Sequence, residues 1–211
     1  MKRFRGWLLL GPTGSGKTPL GELLEERGLH GRRYVHFDFG QNLRDAAARG
    51  EPDEVVSLAD VAFVRELLRT GALLEDQDFP LAERILRAFL RRKEVGADTC
   101  VVFNGLPRHV NQAEALSRMI AMECVVQLRC TAETVRTRIA ANAGGDRALR
   151  TDDHAEDIAR KLSIYERRTM PLVTYFQQQR VPLIRLDVGN TDRAEDLRQA
   201  LCTKLRGNST S

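Results

Sequence analysis

A glycine-rich octapeptide near the start of the chain constrains its fold more than any other feature. Residues 11–18 read GPTGSGKT and match the pattern G-x-x-x-x-G-K-[ST] in full. The apolar segment 4–10 precedes this loop and an amphipathic segment follows it, which is the strand–turn–helix context that the pattern requires. Glycines let successive backbone N–H groups turn towards phosphate oxygens, and the helix N-terminus adds a positive dipole. The loop therefore predicts a nucleoside triphosphate site.

Each polar residue of this phosphate loop has an expected task. We expect Lys17 to reach the β and γ phosphates and the Thr18 hydroxyl to ligate Mg²⁺. Pro19 suits an early helical position, because its missing N–H has no partner there in any case. The loop residues expected to bind ATP are Pro12, Thr13, Gly14, Ser15, Gly16, Lys17 and Thr18.

Short apolar segments alternate with longer amphipathic ones along the rest of the chain. The predicted strands are 4–10, 34–37, 99–103, 124–128 and 182–186. The predicted helices are 18–27, 42–49, 58–69, 79–92, 112–121, 132–141, 155–179 and 193–206, and Pro171 should kink or split the long one. Alternating strands and helices favour a parallel sheet covered on both faces. We therefore expect one P-loop NTPase domain over residues 1–211, a three-layer α/β/α structure with a five-stranded parallel sheet.

Composition and charge exclude several classes of protein. Of the 211 residues, 42% are hydrophobic and 29% are charged, which rules out a disordered chain. No apolar run approaches the roughly 20 residues of a membrane span, and the first apolar stretch is too short for a signal peptide, so we expect a cytoplasmic protein that binds no membrane. The net charge of +4 is interspersed, unlike the basic stripe of a nucleic-acid groove. The four cysteines lack C-x-x-C spacing, so we expect reduced thiols and no structural zinc.

Further segments follow the phosphate loop in an informative order. Residues 104–112 read NGLPRHVNQ, residues 40–44 read GQNLR and residues 69–76 read RTGALLED. Residues 149–153 read LRTDD and residues 165–171 read YERRTMP. Together with the phosphate loop they resemble motifs of the adenylate kinase family of nucleoside monophosphate kinases: D-G-[FY]-P-R-x-x-x-Q, T-G-D-[ML]-[LF]-R, G-x-L-V-[TP]-D, R-x-D-D and Y-x-x-x-T-x-P. The resemblance covers most of the chain.

This resemblance implies a reaction, its partners and roles for individual residues. It implies phosphoryl transfer from ATP, with Mg²⁺, to a nucleoside monophosphate, with AMP as the expected acceptor and a monomeric enzyme. Arg44 and Arg108 would clamp the acceptor phosphate, since a guanidinium fork suits bidentate phosphate binding. Gln112 would read the base edge beside the backbone carbonyl of Leu74. Arg138 would lie over the ATP adenine.

The phosphate loop, this resemblance and the place of Asp38 after the second predicted strand together give the full set of expected site residues. The expected catalytic residues are Lys17, Arg108, Arg138 and Arg150, and Asn190 would line the adenine edge of the ATP site with its neighbours. The expected acceptor-binding residues are Asp38, Arg44, Leu74, Gly105, Arg108, Gln112, Arg147, Arg150 and Lys161. A helical acceptor-binding insertion is expected over residues 39–76 and a short lid over residues 142–153.

The chain departs from the family pattern at three places. Asn104 replaces the family's Asp, which supports Mg²⁺ through water, so an amide takes the place of a negative charge. Residues 39–41 read FGQ where the family has T-G-D, and Lys161 replaces a lid arginine. Asp38, directly after the second predicted strand, could restore the lost charge at the metal.

Asp38 also leaves other readings open. Small-molecule kinases of the shikimate and gluconate kinase type carry an Asp at this place, where it could be the base for a hydroxyl acceptor. Asp38 could instead cap the next helix. Asn104 leaves a third possibility, a nucleotide-binding module that does not catalyse transfer. The residues alone leave these alternatives open.

Overall fold

The computed structural model shows an α/β protein built on one parallel sheet. It describes residues 3–49, 56–70, 72, 74–146 and 155–208. The strands run in the order β2-β3-β1-β4-β5, and all neighbouring pairs are parallel. The strands are β1 Phe4–Leu10, β2 Arg33–Asp38, β3 Thr99–Asn104, β4 Ile120–Arg129 and β5 Leu183–Asp187. The five-stranded parallel sheet predicted from the sequence is confirmed.

Helices connect successive strands across both faces of the sheet. They are α1 Lys17–Arg27, α2 Phe39–Arg49, α3 Leu58–Thr70, α4 Phe79–Arg92, α5 Val110–Ser117, α6 Ala132–Ala140, α7 Ala155–Ile164, α8 Pro171–Gln178 and α9 Ala194–Asn208. A short 3₁₀ turn, Asp76–Asp78, precedes α4, and a π-helical segment, Tyr165–Thr169, joins α7 to α8. This arrangement is the α/β/α layering expected of a P-loop NTPase.

The alternation of side chains along β1 divides the core into two halves. Leu8 and Leu10 belong to the larger apolar cluster, which includes buried residues of α3, α4, α5 and α8. Trp7 and Leu9 point to the opposite face, where buried leucines of α1 and α9 cover the sheet. The central strand is therefore buried on both faces, which explains why its sequence is a continuous apolar run.

The structure shortens one predicted helix and divides another. The helix predicted over residues 112–121 ends at Ser117, because Ile120 already pairs with Phe4 as the first residue of β4. The prediction that Pro171 splits the long helix is confirmed, since α8 begins at that residue after the π-helical segment. Proline fits there because the first turn of a helix needs no N–H donor.

The carboxyl ends of the strands place the polar residues of interest at one edge of the sheet. Asp38 is the last residue of β2 and pairs in register with Asn104, the last residue of β3. β1, the next strand along, runs directly into the phosphate loop, residues 11–18. In open parallel sheets this edge is where ligands bind. Over the described ranges, no helix combines the length and apolarity that a membrane crossing needs.

Candidate active site

The phosphate loop wraps tightly between β1 and α1. Gly14 and Gly16 have φ angles of 74° and 94°, which residues with a Cβ rarely adopt. The Lys17 ammonium spans the loop and donates to the carbonyl oxygens of Gly11 at 2.7 Å and Pro12 at 2.6 Å. Ser15 is fully buried beneath it. The loop thus folds around its own lysine at the mouth of the site.

A hydrogen-bonded triad lies beside this loop at the ends of β2 and β3. The Thr18 hydroxyl donates to Asp38 Oδ2 at 2.9 Å. The Asn104 amide Nδ2 donates to the same Asp38 oxygen at 2.8 Å and to Thr18 Oγ1 at 2.9 Å. The other Asp38 oxygen, Oδ1, accepts from the backbone N–H of Gln41 at 2.9 Å. Asp38 therefore caps the first turn of α2 and also contacts the phosphate-loop threonine.

These contacts keep Asp38 ionised. Burial by itself raises the pKa of this carboxyl, but the Gln41 N–H, the nearby His36, the Thr18 hydroxyl and the Arg44 guanidinium together lower the pKa below its ordinary value. The site thus holds a fixed negative charge next to the Thr18 hydroxyl.

A buried glutamine organises the opposite side of the cleft. Gln112 is 2% exposed, and its Oε1 accepts from the backbone N–H of Arg108 at 2.8 Å. Its Nε2 donates to the carbonyl of Leu74 at 2.9 Å. The Arg108 guanidinium is anchored through Nε to the carbonyl of Gly105 at 3.1 Å. The N–H of Arg108 fixes which end of the Gln112 amide carries the donors.

Arg44 and a set of apolar side chains complete this side. Arg44 donates through Nε and Nη2 to Gln41 Oε1, at 3.2 and 2.8 Å. A Cβ added at Gly40 would lie 3.3 Å from Asp38 Oδ1 and 3.5 Å from Arg44 Nη1, so these two charged groups flank the glycine. The apolar wall is formed by Phe39, Leu43, Leu67, Leu68 and Leu74.

One cleft of about 240 Å³ joins the two sides. The sequence-predicted residues that line it are Thr13, Gly14, Gly16, Lys17, Thr18, Asp38, Arg44, Leu74, Asn104, Gly105, Arg108, Gln112 and Lys161. Pro12 and Ser15 support the loop from behind, and Asn190 lies exposed in the turn after β5. Arg147 and Arg150 fall outside the described residues, as does the 147–153 part of the expected lid.

Arg138 has a different environment from the one expected. It is 2% exposed and is not part of the cleft lining. Its Nε donates to the carbonyl of Gly14 at 3.0 Å, and its Nη1 donates to the carbonyls of Gly189 at 2.7 Å and Asp192 at 2.8 Å. The guanidinium thus ties the phosphate loop to the loop after β5. A role of Arg138 in contacting ATP stays a prediction.

The sequence assigned no individual role to several residues of the cleft. Tyr165 and Thr169, which both belong to the YERRTMP segment, line it together with Ile164 and Asp146. Burial raises the pKa of Tyr165 to about 12. Arg168 pairs with Glu75 through two hydrogen bonds of 2.6 and 2.9 Å. The wall residues Phe39 and Leu43 are four positions apart on α2, as in any amphipathic helix, so no sequence signal separates them from ordinary core.

Comparison with known proteins assigns this chain to a family. A family model described as an AAA domain matches residues 10–159. An adenylate kinase of Parvibaculum lavamentivorans is 35% identical in an alignment of 181 positions that covers 81% of this chain and 78% of the relative. The chain belongs to the adenylate kinase family. An adenylate kinase of Xanthomonas campestris is 31% identical over 88% of this chain and 92% of its own length. An adenylate kinase of Thermus thermophilus is 32% identical over 81% of this chain and 82% of its own length.

Family membership fixes the class of reaction. The protein is a phosphotransferase of the nucleoside monophosphate kinase type with a nucleotide-binding phosphate loop. The chain departs from the family pattern in the triad of Thr18, Asp38 and Asn104, because the amide of Asn104 takes the place of a carboxylate.

Proposed function

We propose that this protein transfers the γ-phosphoryl group of ATP to AMP and yields two molecules of ADP. The observation that carries the proposal is the single cleft, in which the phosphate loop faces Arg44, Arg108 and the Gln112–Leu74 pair. A phosphate-binding loop and two guanidinium groups provide cationic sites for two sets of phosphates. The two nucleotides would meet end to end between them.

The fixed amide of Gln112 supports adenine as the acceptor base. Because the Arg108 N–H occupies Oε1, the donor end of the amide faces the cleft beside the acceptor carbonyl of Leu74. Adenine presents a ring nitrogen acceptor next to an amino donor, which complements this donor–acceptor pair. Hypoxanthine and guanine present the reverse order and would leave the buried groups unpaired. The apolar wall of leucines would contact the flat faces of the base.

The transfer itself needs no general base. An anionic oxygen of the AMP phosphate attacks the γ-phosphorus, a new P–O bond forms, and the bond from the γ-phosphorus to the β-bridging oxygen breaks. No proton has to be removed, so catalysis is positioning plus neutralisation of charge. Arg44 and Arg108 would hold the acceptor phosphate in line, and Lys17 would exchange its two loop carbonyls for phosphate oxygens.

The residues beside the phosphate loop fit a magnesium ion. The Thr18 hydroxyl and the Asp38 carboxylate are oxygen donors 2.9 Å apart, and Mg²⁺ prefers a few such groups together with phosphate oxygens and water. Such a site needs no cage of protein ligands. In the described part of the chain there is no group of three or more His, Cys, Asp or Glu residues that could hold a metal ion. A bound Mg²⁺ would neutralise charge on the β and γ phosphates.

The moving parts of the cleft belong to the same proposal. Residues 39–76, with α2 and α3, would form the acceptor-binding insertion, and residues 142–153 the lid. Lys161, which lines the cleft, would join Arg147 and Arg150 over the transferring group when the lid closes. Closure would exclude water, because an open site would hydrolyse ATP. Cytoplasmic location and a monomeric state stay predictions.

The hydroxyl-kinase alternative fits the site less well. A general base works best with a pKa near the working pH and a lone pair aimed at the substrate. Asp38 has a lowered pKa, and both of its oxygens already accept hydrogen bonds. A carboxylate in this state is suited to holding a cation or a helix terminus and is a weak proton acceptor.

An acceptor panel tests the proposal. Purified protein with ATP and Mg²⁺ would be offered AMP, GMP, CMP, UMP, shikimate and gluconate, and products would be followed by ³¹P NMR. We expect ADP to form rapidly with AMP and slowly or not at all with the others. Phosphorylation of a hydroxy acid would favour the Asp38-base alternative, and ATP binding without transfer to any acceptor would favour a non-catalytic module.

A further inference from the structure

The carboxylate beside the phosphate-loop hydroxyl lies at the end of β2, whereas the family pattern has its carboxylate at the end of β3. Among the described residues that line the cleft, the carboxylates are Asp38 and Asp146, and Asp38 is the one that hydrogen-bonds to Thr18. P-loop enzymes hold Mg²⁺ with the loop Ser or Thr and a carboxylate from a neighbouring strand. At the end of β3 this chain has an amide, Asn104, and the carboxylate is at the end of β2 instead.

The neighbouring amide explains why only one of the two positions carries a charge. Asp38 and Asn104 face each other in register, and the Asn104 Nδ2 and Asp38 Oδ2 atoms are 2.8 Å apart. Two carboxylates at this separation would repel each other, and one of them would take up a proton. An amide in place of one carboxylate turns the repulsion into a hydrogen bond. Asn104 thereby holds Asp38 against the Thr18 hydroxyl.

We infer that the carboxylate of the magnesium site has moved from the end of β3 to the end of β2, so that Asp38 receives the cation and Asn104 positions Asp38. The inference rests on the proposed function, because it assumes that the nucleotide binds as its magnesium complex. The hydrogen-bond pattern of the triad is also reversible. An amide at position 38 can donate to a carboxylate at position 104, while its oxygen still accepts from the Gln41 N–H.

Measuring nucleotide binding with and without the metal tests this inference independently of turnover. The dissociation constant of ATP would be measured by calorimetry in Mg²⁺ and in EDTA, for the wild type, D38N and the double variant D38N/N104D. We expect Mg²⁺ to lower the ATP dissociation constant of the wild type. In D38N this Mg²⁺-dependent decrease should be about 10- to 100-fold smaller. D38N should bind metal-free ATP at least as tightly as the wild type, because a negative charge next to the phosphates is gone. A merely structural role of Asp38 would weaken both measurements together.

The double variant is the decisive arm. D38N/N104D restores one carboxylate to the pair and should regain most of the Mg²⁺-dependent gain. The matched control is D45N, which neutralises an exposed carboxylate on α2, the helix that Asp38 caps, and should leave both constants unchanged. Thermal melting of each variant shows whether it is folded.

Two results would overturn the inference: a Mg²⁺-dependent gain that survives in D38N, or a folded double variant that fails to regain it. Failure of the proposed function has a separate signature, namely MgATP binding without AMP-dependent formation of ADP.

Discussion

At the scale of single residues, the cleft depends on side chains whose hydrogen bonds fix their orientation before any nucleotide arrives. Gln112 is held at both ends of its amide, and Asp38 accepts hydrogen bonds at both oxygens. Such groups lose little conformational entropy when a ligand binds, and each offers the ligand either a donor or an acceptor but not both. Substitutions that keep the shape and reverse the edge are therefore the most informative.

Gln112→Glu replaces the inward donor by an acceptor of the same shape. We expect kcat/KM for AMP to fall about 100-fold, since the new oxygen would face both the Leu74 carbonyl and the ring nitrogen of adenine. The ratio of IMP to AMP turnover should rise, and the ATP dissociation constant should stay the same. The control is Gln177→Glu, an exposed position on α8. An equal loss for all monophosphates would contradict base reading by this residue.

Arg138→Lys tests the tie between the phosphate loop and the loop after β5. One ammonium cannot replace a planar guanidinium that reaches three carbonyls, so we expect a loss of about 2 kcal/mol in the free energy of unfolding. The KM for ATP should rise more than the KM for AMP, because the affected loops lie on the ATP side. Arg136→Lys, exposed on the same helix, is the control. Equal changes in the two KM values would argue against this positioning role.

At the scale of secondary-structure elements, α3 is anchored at its N-terminus and to α4. Ser57 and Asp60 exchange hydrogen bonds across the first turn, and Asp60 also accepts from Arg84 at 2.8 Å. Burial is the largest single influence and raises the pKa of Asp60, but the Ser57 N–H and hydroxyl and the Arg84 guanidinium together lower it overall. The ionised carboxylate thus stabilises the start of this helix.

Asp60→Asn should lower the free energy of unfolding by about 0.5–1 kcal/mol at pH 7, the usual range for a cap with an exposed ion pair. A lowered pKa in the folded state contributes stability above the unfolded pKa of about 4 and loses it as the pH falls through the folded value. The difference between the variant and the wild type should therefore shrink in urea titrations as the pH is lowered below about 4. A difference that does not depend on pH would contradict the electrostatic origin.

The contact between α1 and β2 is close because one helical residue lacks a side chain. A Cβ at Gly21 would collide with the ring of the buried His36, whereas one at Gly96 would meet nothing within 4 Å. We expect Gly21→Ala to destabilise the fold by about 1–3 kcal/mol, as overpacking does, and Gly96→Ala to stay within about 0.5 kcal/mol of the wild type. Chemical denaturation measures both, and equal stabilities would contradict the close packing.

How much the sequence could predict differs between local and distant features. The phosphate loop and most strands could be predicted, because glycine pattern and apolar runs are local signals. The partner of Glu75 could not, since Arg168 is 93 positions away and nothing local marks the pair. That Tyr165 lines the cleft could not be predicted from its spacing, because an aromatic at helical spacing looks the same whether it faces a core or a cleft. The extent of α5 was overestimated because strand pairing with β1, a long-range contact, decides where β4 begins.

At the scale of the whole molecule, the two sides of the cleft lie at one edge of the sheet and are formed by different parts of the chain. Glu75 follows α3 and pairs with Arg168 of the π-helical segment, so the pair links the region after α3 to the segment that joins α7 to α8. Both side chains are partly exposed, and an exposed pair of this kind contributes little stability. If the cleft opens and closes as proposed, such a link would be broken and remade at low cost.

The most direct test of the account follows the fate of the transferred group. The protein would be incubated with Mg²⁺ and ATP labelled at the γ-phosphorus, with and without AMP, and the label would be traced. Direct transfer in a closed cleft predicts that the label appears as the β-phosphate of ADP, at a rate at least about 100-fold above its release as inorganic phosphate. Label released mainly as inorganic phosphate, at a rate that AMP does not change, would contradict the account.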